Sequence, residues 1–320
     1  MSGLKVIRFF GDIILAVVLC MLLVALVLLG YGRAMAGPWQ ITPASSELAP
    51  GQWVWVGDRP LHVRTWGPDD GQPVVLVHGL DIGGSAVWAP VTAPLGRAGY
   101  RVITVDLPLL GYSSRDTAQD VSLRGQADAL ATVLNQLGAQ NAAVVTQGWG
   151  GAVALQVALE QPQFVQSLVL IGPQLELGID RYERQIAGLP LAQESVTWLM
   201  RGGGPVWRVL LRRQVSTNSA PFKTYAQAAR EASQIEGTVE ALTAFYALDE
   251  ATNQPTAIRS LRMPCLVVLG EHDRLVTAER AADLAFEVGA ETLTVVGAGH
   301  LVALDQPDAL RRLLLEALQP

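Results

Sequence analysis

Two side chains in this sequence could move a proton together. Asp273 follows an apolar run that ends at Gly270, and His300 follows another that ends at Gly297. A carboxylate beside an imidazole fixes the ring tautomer and stabilises the protonated ring, which is how histidine serves as a general base. Taken singly, Asp273 could instead cap the segment from Thr277, and His300 could be a loop residue bonded to backbone. As a pair, they are a candidate acid–base centre.

Gly148 stands where such a centre would need a nucleophile. Residues 144–153 (VVTQGWGGAV) predict an apolar strand, a glycine-rich turn and a helix start. In a G-x-S-x-G turn of this kind, the serine hydroxyl is raised to the top of a sheet. Here Thr146 replaces the first glycine and Gly148 replaces the serine. A β-carbon in that conformation costs about 1–3 kcal/mol, which glycine avoids, so we expect the turn to fold without its nucleophile.

Apolar runs alternating with helical periodicity predict a mostly parallel sheet. The runs are apolar on both faces, which is typical of strands covered on both sides. They span residues 74–77, 101–105, 143–145, 168–171, 266–269 and 293–296, and helical stretches span 121–137, 150–160, 277–288 and 306–318. Two earlier runs, 53–56 and 61–66, predict a hairpin. This alternation predicts an α/β fold with helices on both faces of the sheet.

Polar residues follow the ends of these runs, where α/β folds place their sites. They are His78, Asp106, Gly148, Asp273 and His300. The alternation stops at residues 174–260, where helical periodicity and aromatic residues predict an inserted helical cap over the strand ends. We expect Asp305 to cap the last helix, with Pro307 in its first turn.

Several segments together resemble the α/β-hydrolase fold superfamily, in the branch with a helical cap after the sixth strand. The matching segments are residues 78–88 (HGLDIGGSAVW), 106–113 (DLPLLGYS), 270–273 (GEHD) and 297–300 (GAGH), the last followed by 305–307 (DQP). Leu109 departs from the family, which has glycine there, and Gly148 departs at the nucleophile. The resemblance covers the chain from about Gly51 to its end.

The resemblance implies a triad in the chain order nucleophile, acid, histidine, onto which Gly148, Asp273 and His300 fall. It also implies two oxyanion donors, the backbone N–H groups of Leu80 and Trp149. Backbone donors do not depend on side-chain identity, so we expect this half of the machinery to remain. The site would thus keep an acid, a base and oxyanion donors while lacking its serine.

No other residue in the sequence is a good replacement for that serine. Ser85, Ser113 and Ser114 lie in strand-end loops, where we expect loop hydrogen bonds, and Cys265 begins a core strand at the wrong end of the sheet. The spacing of the four histidines does not favour a metal site, and no phosphate-binding or dinucleotide-binding glycine motif follows a strand. We therefore expect no metal and no cofactor, and the net charge of −6 does not favour nucleic acid.

The N-terminus carries an apolar run at residues 13–30. At about 1.5 Å per residue it reaches about 27 Å, close to the hydrocarbon thickness of a bilayer. We expect a single-pass transmembrane anchor, with 1–12 as a short tail, 31–50 as a linker and 51–320 as the hydrolase-like domain. Lys5 and Arg8 before the run favour a domain on the non-cytoplasmic side.

A cleaved signal peptide is the alternative for this segment. Residues 34–36 (AMA) form a small-x-small site, so cleavage after Ala36 would secrete the domain. The apolar run is, however, longer than the roughly 7–15 residues of a signal peptide core, which favours the anchor.

Two functional hypotheses follow. In the first, the chain is a membrane-anchored pseudo-hydrolase that binds a small apolar or acyl ligand, or a partner, with little turnover. In the second, it is an active hydrolase or lyase in which the Asp273–His300 pair activates water against an ester-like substrate.

Overall fold

The computed structural model describes residues 13–24, 26–27, 30, 50–177, 211–217, 219–248 and 255–319. The predicted tail 1–12, nearly all of the linker 31–50, Ala36, and residues 178–210 and 249–254 of the predicted cap lie outside the described residues.

Eight strands form one sheet in the order β1-β2-β4-β3-β5-β6-β7-β8. β1 pairs antiparallel with β2, and β2 with β4, while the other neighbours are parallel. The strands are β1 Gln52–Val56, β2 Arg59–Trp66, β3 Pro73–Val77, β4 Arg101–Val105, β5 Ala142–Gln147, β6 Val165–Ile171, β7 Cys265–Gly270 and β8 Glu291–Val295. The predicted mostly parallel α/β-hydrolase sheet is confirmed.

Helices cover both faces of this sheet. In chain order they are α1 Ala89–Arg97, α2 Leu123–Gln136, α3 Gly150–Glu160, α4 Ala220–Ala232, α5 Thr238–Tyr246, α6 Ala278–Val288, α7 Val302–Asp305 and α8 Pro307–Ala317. Side chains alternate along each strand, so Val75 and Val77 join a core cluster with α2, α3 and α6, whereas Val74 and Leu76 join one with α1 and α8. The two clusters hold the sheet between its helical layers.

Local sequence explains where several helices begin. Ser122, Ser219 and Thr277 each accept a hydrogen bond from the backbone N–H three residues on, at the starts of α2, α4 and α6. The expected cap of the last helix is wrong: α8 begins after Gln306, which makes no side-chain capping bond. Asp305 instead accepts hydrogen bonds from backbone N–H groups elsewhere, including that of Gly299 at 2.7 Å.

Strand β8 also differs from the prediction. It was expected to be apolar and covered on both faces, but four of its five residues are exposed. The reason is its place at the edge of the sheet, beside β7 alone. A hydrophobic pattern does not tell an edge strand from a central one.

The strand order places a switch point at β3. The chain moves from β3 to β4 on one side and then crosses to β5 on the other, so β3 has parallel neighbours on both sides. Ligands of open α/β sheets bind outside the carboxyl ends of the strands at such a point. Gly79 after β3 and Gly148 after β5 lie there: a Cβ built on Gly148 would be 3.8 Å from Cα of Gly79.

The described part of the 174–260 region contributes α4 and α5, which pack against the loops that follow β3 and β4. Tyr225 of α4 donates its hydroxyl hydrogen to Oδ1 of Asp81. Arg115 is buried; its Nε donates to Oγ1 of Thr238 on α5 at 3.2 Å, and its Nη1 donates to the carbonyl oxygen of Ser113 at 2.8 Å. Buried polar contacts thus join these helices to the sheet domain.

Residues 13–24 near the N-terminus are helical and their side chains are exposed. Among the described residues, no helix has both the length and the apolar character that a membrane crossing requires. The predicted span 13–30 includes residues outside that set.

Candidate active site

Asp273 and His300 form a hydrogen-bonded pair. Oδ2 of Asp273 lies 2.9 Å from Nδ1 of His300, and the two side chains are 1% and 5% exposed. Oδ1 of Asp273 accepts from the backbone N–H groups of Leu275 and Val276 at 2.8 and 2.9 Å. Burial by itself raises the pKa of Asp273, but these hydrogen bonds outweigh it and hold the pKa below its usual range. The carboxylate therefore accepts a hydrogen bond from the Nδ1–H group, which leaves Nε2 of His300 as the reactive nitrogen.

That nitrogen faces the turn at Gly148. The backbone there has φ +54°, the left-handed conformation that glycine adopts freely. A Cβ built on Gly148 would lie 3.2 Å from Nε2 of His300 and 3.2 Å from Oε1 of Gln174. The imidazole is thus directed at the point from which a nucleophilic side chain would project, and residue 148 provides none.

Two backbone donors flank the same turn. The N–H groups of Leu80 and Trp149 have no hydrogen-bond acceptor among the described residues, although Trp149 is buried. Unpaired buried N–H groups are rare in folded proteins, and they are the donors that an oxyanion hole requires. The structure thus brings together all five predicted site residues: Leu80, Gly148, Trp149, Asp273 and His300.

Two neighbouring residues hold the acid–base pair in place. A Cβ built on Gly172 would lie 2.9 Å from Nδ1 of His300 and 3.0 Å from Oδ2 of Asp273, so the backbone packs directly on the pair. Nε2 of Gln147 donates to the carbonyl oxygen of His300 at 3.0 Å. Side chains larger than hydrogen at position 172 would displace the pair.

Asp81 is a buried carboxyl that sequence analysis did not identify as functional. It follows Leu80 directly, and its Oδ2 is buried with no hydrogen-bond partner among the described residues. Burial raises the pKa of Asp81, while His78, Tyr225 and His300 act in the opposite direction and only in part offset it. Since a motif gives no measure of burial, the sequence held little signal for this group beyond its place beside Leu80.

Gln174 was also missed. Its side-chain oxygen faces the turn, and its backbone N–H donates to the carbonyl oxygen of Gly148 at 3.1 Å. It comes two residues after Gly172, at the carboxyl end of β6. That position, next to the end of β5, was the available signal.

The remaining candidate nucleophiles do not contact His300. The hydroxyl of Ser113 donates to the carbonyl oxygen of Asp106, and the hydroxyl of Ser114 accepts from the N–H of Asp116. The N–H of Ser85 donates to Asp106. Burial raises the pKa of the Cys265 thiol to about 11. Cys265 is the first residue of β7, so it lies at the amino ends of the parallel strands, whereas the site lies at their carboxyl ends. The loop roles expected for Ser113 and Ser114 agree with these contacts.

His78 and Asp106 have structural hydrogen bonds. Nε2 of His78 accepts from the N–H of Leu107 at 2.9 Å, so its Nδ1 carries the proton and donates to the carbonyl oxygen of Gly79. Asp106 accepts from Nδ1 of His62 and from the N–H groups of Ser85 and Tyr112. Within the described residues, no three His, Cys, Asp or Glu side chains gather as a metal site.

Known proteins share this architecture over most of the chain. The family model for the alpha/beta hydrolase fold matches residues 72–307. The magnesium-chelatase 30 kDa subunit of Rhodobacter capsulatus is 29% identical and covers 90% of this chain and 99% of its own length. The 2-hydroxymuconate semialdehyde hydrolase of Pseudomonas putida is 27% identical over 77% of this chain and 86% of its own.

A solved structure extends the likeness in fold further along the chain. A bacterial membrane phospholipase A superimposes with a TM-score of 0.68 at 20% identity, covering 97% of each chain. With the triad order, the switch-point site and the matched family model in agreement, this chain belongs to the α/β-hydrolase family.

Proposed function

We propose that this chain is a membrane-anchored α/β-hydrolase-family protein impaired in acyl-enzyme catalysis, a pseudo-hydrolase that binds a small or lipid-like ligand or a partner. One observation carries the proposal: Nε2 of His300 is aligned with residue 148, but glycine there offers no atom that can attack. Covalent hydrolysis by this family begins with transfer of a nucleophile's proton to the histidine. Without that hydroxyl the first covalent step has no reactant.

Ligand binding does not need the missing hydroxyl. The acid–base pair and the unpaired N–H groups of Leu80 and Trp149 still converge on the turn. Polar groups of this kind orient a ligand in a pocket, whatever chemistry follows. If the whole site had lost its role, we would expect the acid–base pair and these N–H groups to have lost their common orientation as well.

Two relatives support the partner and membrane parts of the proposal. One is named as a subunit of magnesium chelatase, which is a role within an assembly. Another is described as a membrane phospholipase, and it covers nearly all of this chain. The apolar run at residues 13–30 would serve as the anchor, with the domain on the non-cytoplasmic side of the membrane.

Hydrolysis of short and long acyl esters by the purified full chain tests the proposal. We expect rates near those of the uncatalysed reaction, and no covalent adduct with a serine-directed phosphonate. The matched control is His300→Ala, which should change little because there is no acyl-enzyme step to lose. Rapid turnover that disappears in His300→Ala would refute the proposal.

The second candidate function is hydrolysis by activated water, and the position of Gln174 favours it. Nε2 of His300 and Oε1 of Gln174 both lie 3.2 Å from the point where a Cβ on Gly148 would be. Both atoms are acceptors, so a water molecule at that place could donate to each and be deprotonated by the imidazole. Catalysis would then reach roughly 10³–10⁴ over the uncatalysed rate, as in triad enzymes that lack one member.

The pH dependence of the rate separates the two candidates. Water activation by His300 predicts a rate that rises with pH, because only the neutral imidazole can accept the proton of water, again without a phosphonate adduct. A flat profile at the background rate would exclude water activation and leave the binding role.

A further inference from the structure

The turn at Gly148 concentrates hydrogen-bond donors at one point. The N–H groups of Leu80 and Trp149 are unpaired among the described residues, and Trp149 directly precedes α3, whose N-terminus adds partial positive charge there. A helix start does not by itself define a ligand. His300 supplies the second observation, because it is 4% exposed and aims an Nε2 with no partner among the described residues at the same point.

The glycine makes this point accessible to a ligand. A Cβ at residue 148 would already be within 3.2 Å of Nε2 of His300 and of Oε1 of Gln174. Because the residue ends at its α-carbon, a ligand oxygen can lie where a serine side chain would be. The amide of Gln174 makes no other side-chain hydrogen bond among the described residues, so it can rotate and present its NH₂ group.

The charges around His300 determine which group fits. Asp273 stabilises a protonated ring through its bond to Nδ1. Burial raises the pKa of Asp81, which disfavours the charged form of this second carboxyl, and Tyr225 donates its hydroxyl hydrogen to Oδ1 of Asp81. His78 is held as the Nδ1–H tautomer by its contacts with Leu107 and Gly79. With a proton on Nε2, His300 would place a positive charge at this point, which suits a singly charged anion.

We propose that this site binds the carboxylate of a free carboxylic acid. One carboxylate oxygen accepts from the N–H groups of Leu80 and Trp149, and the other accepts from protonated Nε2 of His300. The proposal rests on the pseudo-hydrolase function, since a working hydrolase releases the acid as its product, whereas this chain would retain it as its ligand.

Calorimetric titration of the full chain with sodium hexanoate tests the carboxylate site. We expect one site per chain and tighter binding at about pH 6 than at about pH 8.5, because neutral imidazole has no Nε2 proton to donate. 1-Hexanol, which has the same tail without the charge, should bind roughly tenfold or more weakly.

Variants locate the bound group. His300→Gln should weaken hexanoate binding roughly tenfold or more and remove its pH dependence, since it removes the charged donor. Gly148→Ala should also weaken it, because the added methyl group fills the place of the carboxylate oxygen. The matched control is His272→Gln, whose side chain is 57% exposed on a neighbouring loop, and it should bind as the wild type does.

The two proposals fail in different ways. Absence of saturable hexanoate binding at the lower pH, or unchanged binding in His300→Gln, overturns the carboxylate site alone. Rapid ester hydrolysis that depends on His300, together with intact hexanoate binding, overturns the pseudo-hydrolase function but leaves the carboxylate site in place.

Discussion

At the scale of single residues, restoring a nucleophile is the sharpest test of how much of the site remains. A serine at position 148 would have φ near +54°, a strain of about 1–2 kcal/mol, and its Cβ would be 3.2 Å from both His300 and Gln174. The Gln174 contact involves the end of a flexible side chain, which can move. The serine hydroxyl would then be within reach of the imidazole.

We therefore predict that Gly148→Ser gains esterase activity, and that Gly148→Ser with Gln174→Ala gains more, on the order of 10²–10³ over the wild type. Steady-state hydrolysis of a short acyl ester and labelling by a fluorophosphonate measure it. The control is Gly148→Ala with Gln174→Ala, which adds the Cβ without the hydroxyl. If the double serine variant is labelled no faster than this control, the oxyanion donors and the base are not aligned as described.

Two buried aspartates have pKa values shifted in opposite directions. Burial alone would raise both, but Asp106 accepts from three donors and its pKa is lowered. Asp81 has one oxygen with no partner among the described residues, and its pKa is raised. An aspartate in the unfolded chain has a pKa of about 3.9. A carboxyl whose pKa is lower than this in the folded state stabilises the fold at pH values above about 3.9, and a carboxyl whose pKa is higher in the folded state destabilises the fold as the pH rises above that value.

We therefore predict opposite effects at neutral pH. Asp106→Asn should lower the free energy of unfolding by about 3 kcal/mol, because it breaks a buried pair with His62. Asp81→Asn should raise it by roughly 1 kcal/mol, because it removes a buried carboxyl that ionises without a full set of donors. Urea denaturation at about pH 5 and about pH 8 measures both, and the gain for Asp81→Asn should be larger at the higher pH. A loss of stability in Asp81→Asn at both values would contradict this account.

Sequence motifs predicted the acid, the base and the nucleophile position of the site, and they missed two polar residues that lie beside these groups. Asp273, His300 and Gly148 each follow a strand end in a recognisable order, so sequence was enough to place them together. Asp81 and Gln174 belong to no catalytic motif, and their roles arise from burial and from the approach of separate loops. Such tertiary contacts leave no local periodicity.

At the scale of elements, the turn between β5 and α3 accommodates its unusual Thr146. A β-branched residue where the G-x-S-x-G motif has glycine adds bulk at the contact between strand and helix. Thr146 is fully buried, its hydroxyl lies 3.4 Å from the carbonyl oxygen of Val169, and a Cβ on Gly151 would be 3.4 Å from the same hydroxyl oxygen. Even a Cβ at residue 151 would be at ordinary van der Waals distance from this hydroxyl, so Thr146 does not crowd the contact between strand and helix.

Thr146→Gly should therefore lower stability rather than repair the turn. We predict a loss of about 1–2 kcal/mol, from the backbone entropy of glycine in a strand and the lost burial of the threonine methyl group. Chemical denaturation measures it, with Thr146→Ser as the control that keeps the hydroxyl. An increase in stability would mean that the β-branched side chain strains the turn after all.

Other elements differ in how visible they were in the sequence. Central strands and amphipathic helices were visible because their periodicities are strong. Helix α1 was not predicted, since Pro94 lies inside it and proline usually breaks a helix interior. Leu109 has φ +70° at the position where the family pattern has glycine. The residue is 1% exposed, so burial of its side chain offsets an unfavourable backbone.

At the scale of the whole molecule, the site is assembled by strand order. Residues from the ends of β3, β5, β6, β7 and β8 lie along one edge because these five strands are parallel and consecutive in the sheet. Hydrophobic runs predict that strands exist but not which ones are neighbours. The family resemblance implied the chain order nucleophile, acid, histidine, and with it the expectation that these residues would converge.

The N-terminal run at residues 13–30 makes a prediction about the entire chain, because it decides where the domain works. If it spans a bilayer, the expressed chain should stay in the membrane fraction after alkaline carbonate extraction and keep its original N-terminus. Leu22→Arg places a charge near the middle of the span at a cost of about 2.5–3.5 kcal/mol, so it should move much of the chain to the soluble fraction. Leu22→Ile is the control, because it preserves apolar character. A mature chain that begins at Gly37 would instead establish cleavage after Ala36 and a domain released from the membrane.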